Sequence, residues 1–322
     1  MRTPQERDVV FLDFEVLTDP SYAGKHNFLY FANKVKELVG EGNADYWNKK
    51  RNNKTTIRKI EIDTDNNYVK FLLCFNDSTI PSIPVADIDT DTQRNEKTEE
   101  REGSPHTAHL IVKTTPISTN PNIYTGLLEE GEHLKRINVE RYFNYLFREI
   151  KKKYPNDFEM PSITGSCTTS GEPRKEKYSE YFSVQGKLSK DFREMLETGK
   201  IRGLTLVSDH VSNLGIAEGV SIQPRRKELS LMSYSGPLSL VGNAVQVACN
   251  IGRDNDYESL RISFSSGKNL TSSVTVNTTN QNVVGDGFLR KERLSDFSAP
   301  LIEAEENFNN EIIGKMIDLL GN

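Results

Sequence analysis

The chain has 322 residues, a net charge of −5, 35% apolar and 27% charged residues. That length allows a large core and about two domains, and the balance is globular, which excludes the disordered and fibrous classes. An acidic total gives no general attraction for a polyanion, so a nucleic-acid contact would have to come from a local basic face.

Residues 9–17 read as a strand rich in Val, Phe and Leu, and Asp19-Pro20-Ser21 as a turn. A helix is predicted over 25–39, where Phe28, Phe31, Ala32, Val35, Leu38 and Val39 recur at helical spacing before Gly40 stops the run. Residues 43–54 are polar and basic. The alternating stretches 55–63 and 68–75, joined by Asp65-Asn66-Asn67, predict a hairpin. Residues 87–104 mix both charge signs, carry no apolar side chain after Ile88, and read as a loop. Strands are expected at 107–115 and 123–128. A helix over 138–153 follows, with Val139, Tyr142, Phe143, Leu146 and Ile150 as its buried stripe, Asn138 as N-cap and Lys151, Lys152 and Lys153 at the negative end of its dipole.

Residues 155–177, with Pro155, Pro161, Pro173 and a Ser/Thr cluster, are the expected linker between a domain at 1–154 and a second at 178–322. The second block predicts strands at 178–186, 201–209 and 228–233, and a short helix over 189–198. A helix is predicted over 237–251, where Val241, Ala244, Val245, Ala248 and Ile251 keep helical spacing. Strands at 257–265, 272–278 and 287–294 lead to a last helix over 303–320 with Phe308, Ile312, Ile313, Met316, Leu319 and Leu320 on its apolar face. Strands arrive in consecutive runs, so the expected fold is α+β: two mixed blocks with largely antiparallel sheets and amphipathic helices, including the C-terminal one.

Motifs for chemistry are sparse. Cys74, Cys167 and Cys249 are few and far apart, against a disulfide framework or a cysteine-pair zinc site, and Cys74 sits in an apolar strand as a buried thiol. The first residues have no apolar signal core and no stretch is long and apolar enough to span a membrane, so a soluble cytoplasmic protein is expected. Neither a phosphate-binding glycine loop nor a nucleophile elbow occurs, and no cofactor is expected. His106 and His109 lie three apart on a strand, which places them on opposite faces. Asp13-Phe14-Glu15 is the sharpest enzymatic signal. Two carboxylates at i and i+2 share a strand face and can hold a divalent cation for phosphoryl chemistry, although the same pattern serves the wet side of an edge strand. It resembles the first motif of the DEDD-type exonucleases, but Val16-Leu17 stands where Thr-Gly is usual. Glu61, Asp63 and Lys70 fit a second nuclease pattern only with arbitrary spacing.

The basic residues form patches. Lys49, Lys50, Arg51, Lys54, Arg58 and Lys59 gather around Tyr46 and Trp47, the only tryptophan. Cations interleaved with aromatics suit a phosphate backbone with bases or sugars beside it. Lys151, Lys152 and Lys153 mark a second patch, and ordinary solvated faces carry such runs too.

Two stretches carry a family resemblance. Leu294-Ser295-Asp296-Phe297-Ser298-Ala299-Pro300-Leu301 before an amphipathic terminal helix, and the opening order strand, helix, hairpin, are similar to the RexA phage-exclusion family. Thr107-Ala108-His109-Leu110-Ile111-Val112, then Tyr124-Thr125-Gly126-Leu127-Leu128-Glu129-Glu130, resembles segments of uncharacterised bacterial and prophage proteins. The resemblance implies a dimeric, two-domain DNA-binding protein of phage exclusion or antiviral defence. The leading expectation is therefore DNA binding through Tyr46, Trp47, Lys49, Lys50, Arg51, Lys54, Arg58, Lys151, Lys152 and Lys153, with the output passed to a second protein. The alternatives are a metal-dependent nuclease using Asp13 and Glu15, and a protein-interaction subunit or inhibitor contacting its partner through the 87–104 loop.

Overall fold

The computed structural model describes residues 5–79, 83–86, 93–96, 103–118, 120–131, 133–163, 167, 170–171, 173–187, 189, 201–208, 216–217, 220–221, 227–231, 241–255, 257–266, 270–278 and 289–321. They form an α+β protein with largely antiparallel sheets, divided into two compact units. Met1–Val184 and Glu292–Asn322 make the first, Gln185–Lys291 the second. The first unit therefore takes in both the 155–177 stretch expected as a linker and the chain's last helix.

In chain order the first unit contains β1 (Arg7–Asp19), α1 (Phe28–Gly40), β2 (Tyr46–Trp47), β3 (Asn53–Asp63), β4 (Tyr68–Asp77), β5 (Ile83–Ala86), β6 (Gln93–Glu96), β7 (Ser104–Lys113), β8 (Ile123–Glu129), α2 (Arg136–Lys153), β9 (Glu159–Pro161), β10 (Lys175–Lys177) and β11 (Ser179–Gly186). The second unit supplies β12 (Ile201–Ser208), β13 (Ile216–Ala217), β14 (Val220–Ser221), β15 (Lys227–Leu231), α3 (Val241–Asp254), β16 (Ser259–Ser266) and β17 (Leu270–Asn277). The first unit then resumes with β18 (Lys291–Leu294) and α4 (Asn310–Gly321).

An eight-stranded sheet in the order β11-β1-β8-β7-β4-β3-β2, with β18 also on β1, is the frame of the first unit. Alternation along β1 serves both faces of this sheet. Phe14 turns to α1 and α2, meeting Phe28 and Phe143 at ring separations of 6.0 and 5.9 Å. Phe31 of α1 lies 4.7 Å from Phe147 of α2 and 4.9 Å from Phe182 of β11. Edge-on and tilted rings of this kind add to the gain from burial. Gly126 on β8 leaves room for Phe14, since a Cβ there would stand 2.9 Å from its ring and 2.8 Å from the Ile111 carbonyl. Val9 and Phe11 take the other face, where Leu294, Leu301, Ile312, Ile313, Met316 and Leu320 pack on them with Ile111 and Leu127. The sheet is thus covered by α1 and α2 on one side and by α4 on the other.

A buried polar network locks that second layer. Glu129 is 2% exposed and lies between Arg7 and His109. Arg7 Nε donates to Glu129 Oε1 at 3.0 Å, and the backbone N–H and Nδ1 of His109 reach Oε2 at 3.0 and 2.7 Å. His109 Nε2 accepts from the Asn309 N–H at 3.0 Å, and an Arg7 guanidinium N–H donates to the Ile302 carbonyl at 3.1 Å. The network shows why the last helix starts at Asn310 and not at residue 303. Thr107 N–H binds the Glu303 carbonyl, Glu305 N–H binds the Thr107 hydroxyl, and Asn309 N–H is held by His109, so backbone groups a helix would use are committed to the sheet. Asn309 then caps α4, its side-chain oxygen accepting from the N–H groups of Glu311 and Ile312.

Other expectations shift by small amounts. α2 begins at Arg136, and Asn138, expected as its N-cap, lies inside the helix with its amide donating to the His133 carbonyl. The 155–177 stretch contributes a short 3-10 turn at Pro155–Phe158, whose Phe158 is buried, and the β9–β10 ribbon. Part of the 87–104 loop folds as β6, antiparallel to β5. The helix expected over 189–198 falls almost wholly outside the described residues.

The second unit is a four-stranded antiparallel sheet, β15-β12-β16-β17, backed by α3. Among its described side chains Ala248 and Cys249 are buried, whereas Ile251, which shares the expected helical stripe with Ala248, is 37% exposed. Gly252 sets this rotation, because a Cβ there would meet Leu206 and Thr278 at 2.7 and 2.6 Å. Among the described residues no helix is long and apolar enough to cross a membrane.

Removing one partner of a buried, hydrogen-bonded charge pair leaves the other uncompensated and costs about 3–5 kcal/mol. Glu129→Ala is therefore expected to lower unfolding stability by that amount in a urea titration. A loss under about 1 kcal/mol would refute the assigned role of the network.

Candidate nucleic-acid interface

A basic and aromatic surface of the first unit is built by the connection from α1 to β3. Two tyrosines of α2 hold it in place: the Tyr142 hydroxyl donates to the Ala44 carbonyl at 2.7 Å and the Tyr145 hydroxyl to the Asp45 carbonyl at 2.9 Å. Burial pushes the Tyr142 hydroxyl well above the ordinary tyrosine range, so it stays a neutral donor. β2 follows, and its two residues alternate. Tyr46 packs inward on Tyr145, with rings 5.0 Å apart. Trp47 is 46% exposed.

The turn after Trp47 is set by asparagines. Asn48 Oδ1 accepts from the N–H groups of Asn52 and Asn53, and the Arg51 N–H donates to the Asn48 carbonyl. This places Arg51 at φ 56°, the left-handed region, which a residue with a Cβ occupies at a cost of roughly 1–2 kcal/mol. Strain of this kind persists where the surroundings fix it, and such places cluster at functional sites. The side chains of Lys49, Lys50 and Arg51 are exposed and have no ion-pair partner among the described residues.

β3 and β4 complete the surface. Their register sets Lys54 opposite Asn76 and Asn53 opposite Asp77. Ser78 donates from its N–H and hydroxyl to the Asn52 carbonyl at 3.0 and 2.9 Å, which fastens the end of β4 to the turn. The result is a pocket of about 620 Å³ lined by Trp47, Arg51, Asn52, Lys54, Asn76, Ser78 and Gly103. Lys54 Nζ stands 5.6 Å from the centre of the Trp47 ring and 3.2 Å from Asp45. Gly103 makes a close backbone approach, since a Cβ there would lie 2.7 Å from the Asp77 carbonyl carbon. Asp77 holds that wall from inside. Burial raises its carboxyl, but the Thr79 hydroxyl and N–H, aided by His133 and His106, outweigh this and keep it below the usual aspartate range.

The structure gathers Trp47, Lys49, Lys50, Arg51 and Lys54 in one place, with Tyr46 as support behind them. Arg58 is directed elsewhere. A bulge between Ile57 and Lys59 leaves it outside the ladder, and its guanidinium donates to the Glu305 carbonyl at 2.8 Å. Lys59 likewise reaches Asn307 and stands 5.6 Å from the Phe308 ring centre. The lysines at the end of α2 are each engaged: Lys151 with the Ser179 hydroxyl, Lys152 with Glu149, and Lys153 with Glu41. Their surroundings include Glu41, Asp45 and Glu149, so this patch has little free positive charge. Asn52, Asn76, Ser78 and Gly103 were not legible as site residues, because only the strand register brings them beside Trp47.

The hydrolytic candidates show other partners. Asp13 accepts from the Thr125 hydroxyl at 3.1 Å, and Lys70 is paired with Glu61 at 2.8 Å and Asp63 at 3.6 Å. Among the described residues no group of three His, Cys, Asp or Glu side chains is placed to hold a metal ion. No family model matches the chain, and no curated protein matches it.

Two expected outcomes follow from this geometry. Arg51→Gly relieves the left-handed backbone and Arg51→Ala does not, so thermal unfolding should show the glycine variant more stable than the alanine one by about 1 kcal/mol; the reverse order would remove the strain argument. Asp77 titrates lower when folded than when unfolded. Its ionised form therefore stabilises the fold at neutral pH, and this contribution disappears as the pH falls below about 3.9 and through the folded value. Unfolding midpoints of wild type and Asp77→Asn should differ most at neutral pH and converge in acid, and a gap that widens in acid would contradict the assignment.

Proposed function

We propose that the protein binds nucleic acid, with DNA as the expected form, through the Trp47–Lys54 turn and the pocket behind it. One observation carries the reading: an exposed tryptophan shares a strained turn with Lys49, Lys50 and Arg51, which have no ion-pair partner among the described residues, and two tyrosines and three asparagines hold that turn in place. Lys49, Lys50 and Arg51 take phosphates, and Trp47 takes the flat face of a base or sugar. A net charge of −5 is no obstacle, because counterion release depends on the few cations that touch the backbone. The resemblance to the phage-exclusion family supplies the setting: antiviral defence, a homodimer, and a partner protein that receives the signal. Arg58 and Lys151 to Lys153 have partners of their own elsewhere in the first unit, which leaves Lys49, Lys50 and Arg51 as the main phosphate contacts.

The test is substitution of Lys49, Lys50 and Arg51 together by Glu, followed by titration of labelled DNA at several salt concentrations. Binding should weaken at low salt by about a hundredfold or more, and the slope of log affinity against log salt should flatten by roughly 2–3. Unchanged affinity and slope would remove this surface from the reading.

A further inference from the structure

We infer that the Trp47 pocket takes an unpaired base, so that the ligand is a single strand and not the groove of a duplex. The inference rests on the nucleic-acid reading above and narrows it. In a duplex the base faces are stacked on one another and only their edges reach the grooves. An aromatic side chain meets a base face without the cost of unstacking a duplex step where the strand is already open. Trp47 presents its ring on a two-residue edge strand, next to a concavity of about 620 Å³. That volume lies within the roughly 300–1,000 Å³ of ligand pockets. The cations beside it lie on a turn and not along an exposed helix suited to a major groove.

The lining matches what an opened base offers. The amide oxygens of Asn52 and Asn76 are engaged, by the Asn48 amide and by the Cys74 thiol at 3.7 Å, which leaves their NH₂ groups as donors. Burial pushes the Cys74 thiol up, so it remains protonated and holds the Asn76 oxygen. Donors of this kind suit the ring nitrogens and carbonyls that pairing would otherwise occupy. Lys54 lies close enough to the Trp47 ring for a cation–π contact and adds charge at the pocket wall. Lys49, Lys50 and Arg51 extend the positive surface along the turn beyond a single phosphate, which fits a strand better than a lone nucleotide.

Trp47 is the only tryptophan, so its emission reports this site alone. The experiment titrates the full chain with an oligo-dT strand of about a dozen nucleotides, the matching oligo-dT·oligo-dA duplex, an abasic strand of equal charge, and thymidine monophosphate. Emission and the polarisation of labelled DNA are followed together. The single strand should quench Trp47 and bind roughly tenfold tighter than the abasic strand. Trp47→Ala should erase that tenfold difference while salt-sensitive binding persists, and Trp47→Phe should restore most of it. Circular dichroism of the variants should match wild type, because the side chain is exposed at a sheet edge. If duplex or abasic DNA binds as tightly as the base-bearing strand, the base pocket is overturned and the broader nucleic-acid reading stands. If the mononucleotide saturates at the same concentration as the strand, the single-strand assignment is overturned. If nothing binds, both readings fall.

Discussion

The first unit depends on one buried carboxylate. Glu129 is surrounded by apolar strands, and its charge is tolerable there only because Arg7 and His109 close around it. The same arrangement fixes the proton on His109. Nε2 accepts from Asn309 N–H, so Nδ1 carries the hydrogen that Glu129 receives. Arg7 comes from β1, His109 from β7, Glu129 from β8, and Asn309 from the segment before α4. One acid thus sets the relation of three strands and anchors the last layer of the unit. The apolar seam of Phe11, Leu301, Ile312 and Met316 supplies the larger gain from burial, and the polar network specifies where that seam closes.

The interface is organised the opposite way. Its residues are exposed, and it is rigid because rigid elements hold it at several points. Tyr142 and Tyr145 grip the chain before β2, Asn48 closes the turn, and Ser78 ties that turn to β4. A loop borne on a packed sheet and helix is a common place for binding residues. Arg51 in the left-handed region shows that this geometry is kept against a local cost.

The periodic elements of the fold were readable in the sequence. The stripes of α1 and α2 and the alternation of β3 and β4 depend on local patterning, which tertiary contacts reinforced. What escaped was decided by contacts distant in sequence. The start of α4 was set by Thr107 and His109, about two hundred positions away, and no local propensity carries that information. The separation into units was hidden for the same reason, since prolines marked a plausible linker at 155–177 while Phe158 was drawn into the first unit. At the interface, composition identified Trp47 and the cations of the turn. It did not separate Arg58, which a bulge turns towards Glu305, from Lys54, which faces the pocket.

The interrupted course of the first unit has a consequence for synthesis. On the ribosome, Met1–Val184 emerges before Gln185–Lys291, and Glu292–Asn322 after both. Domains tend to fold as their chain appears. The second unit, continuous in sequence, is free to fold while the first still waits for its closing piece. Until that piece arrives, Val9, Phe11, Ile111 and Leu127 have no α4 to cover them, and His109 lacks its Asn309 donor. The nascent chain therefore carries an open apolar sheet face through the whole translation of the second unit, an interval in which a chaperone or a second nascent copy has its best access.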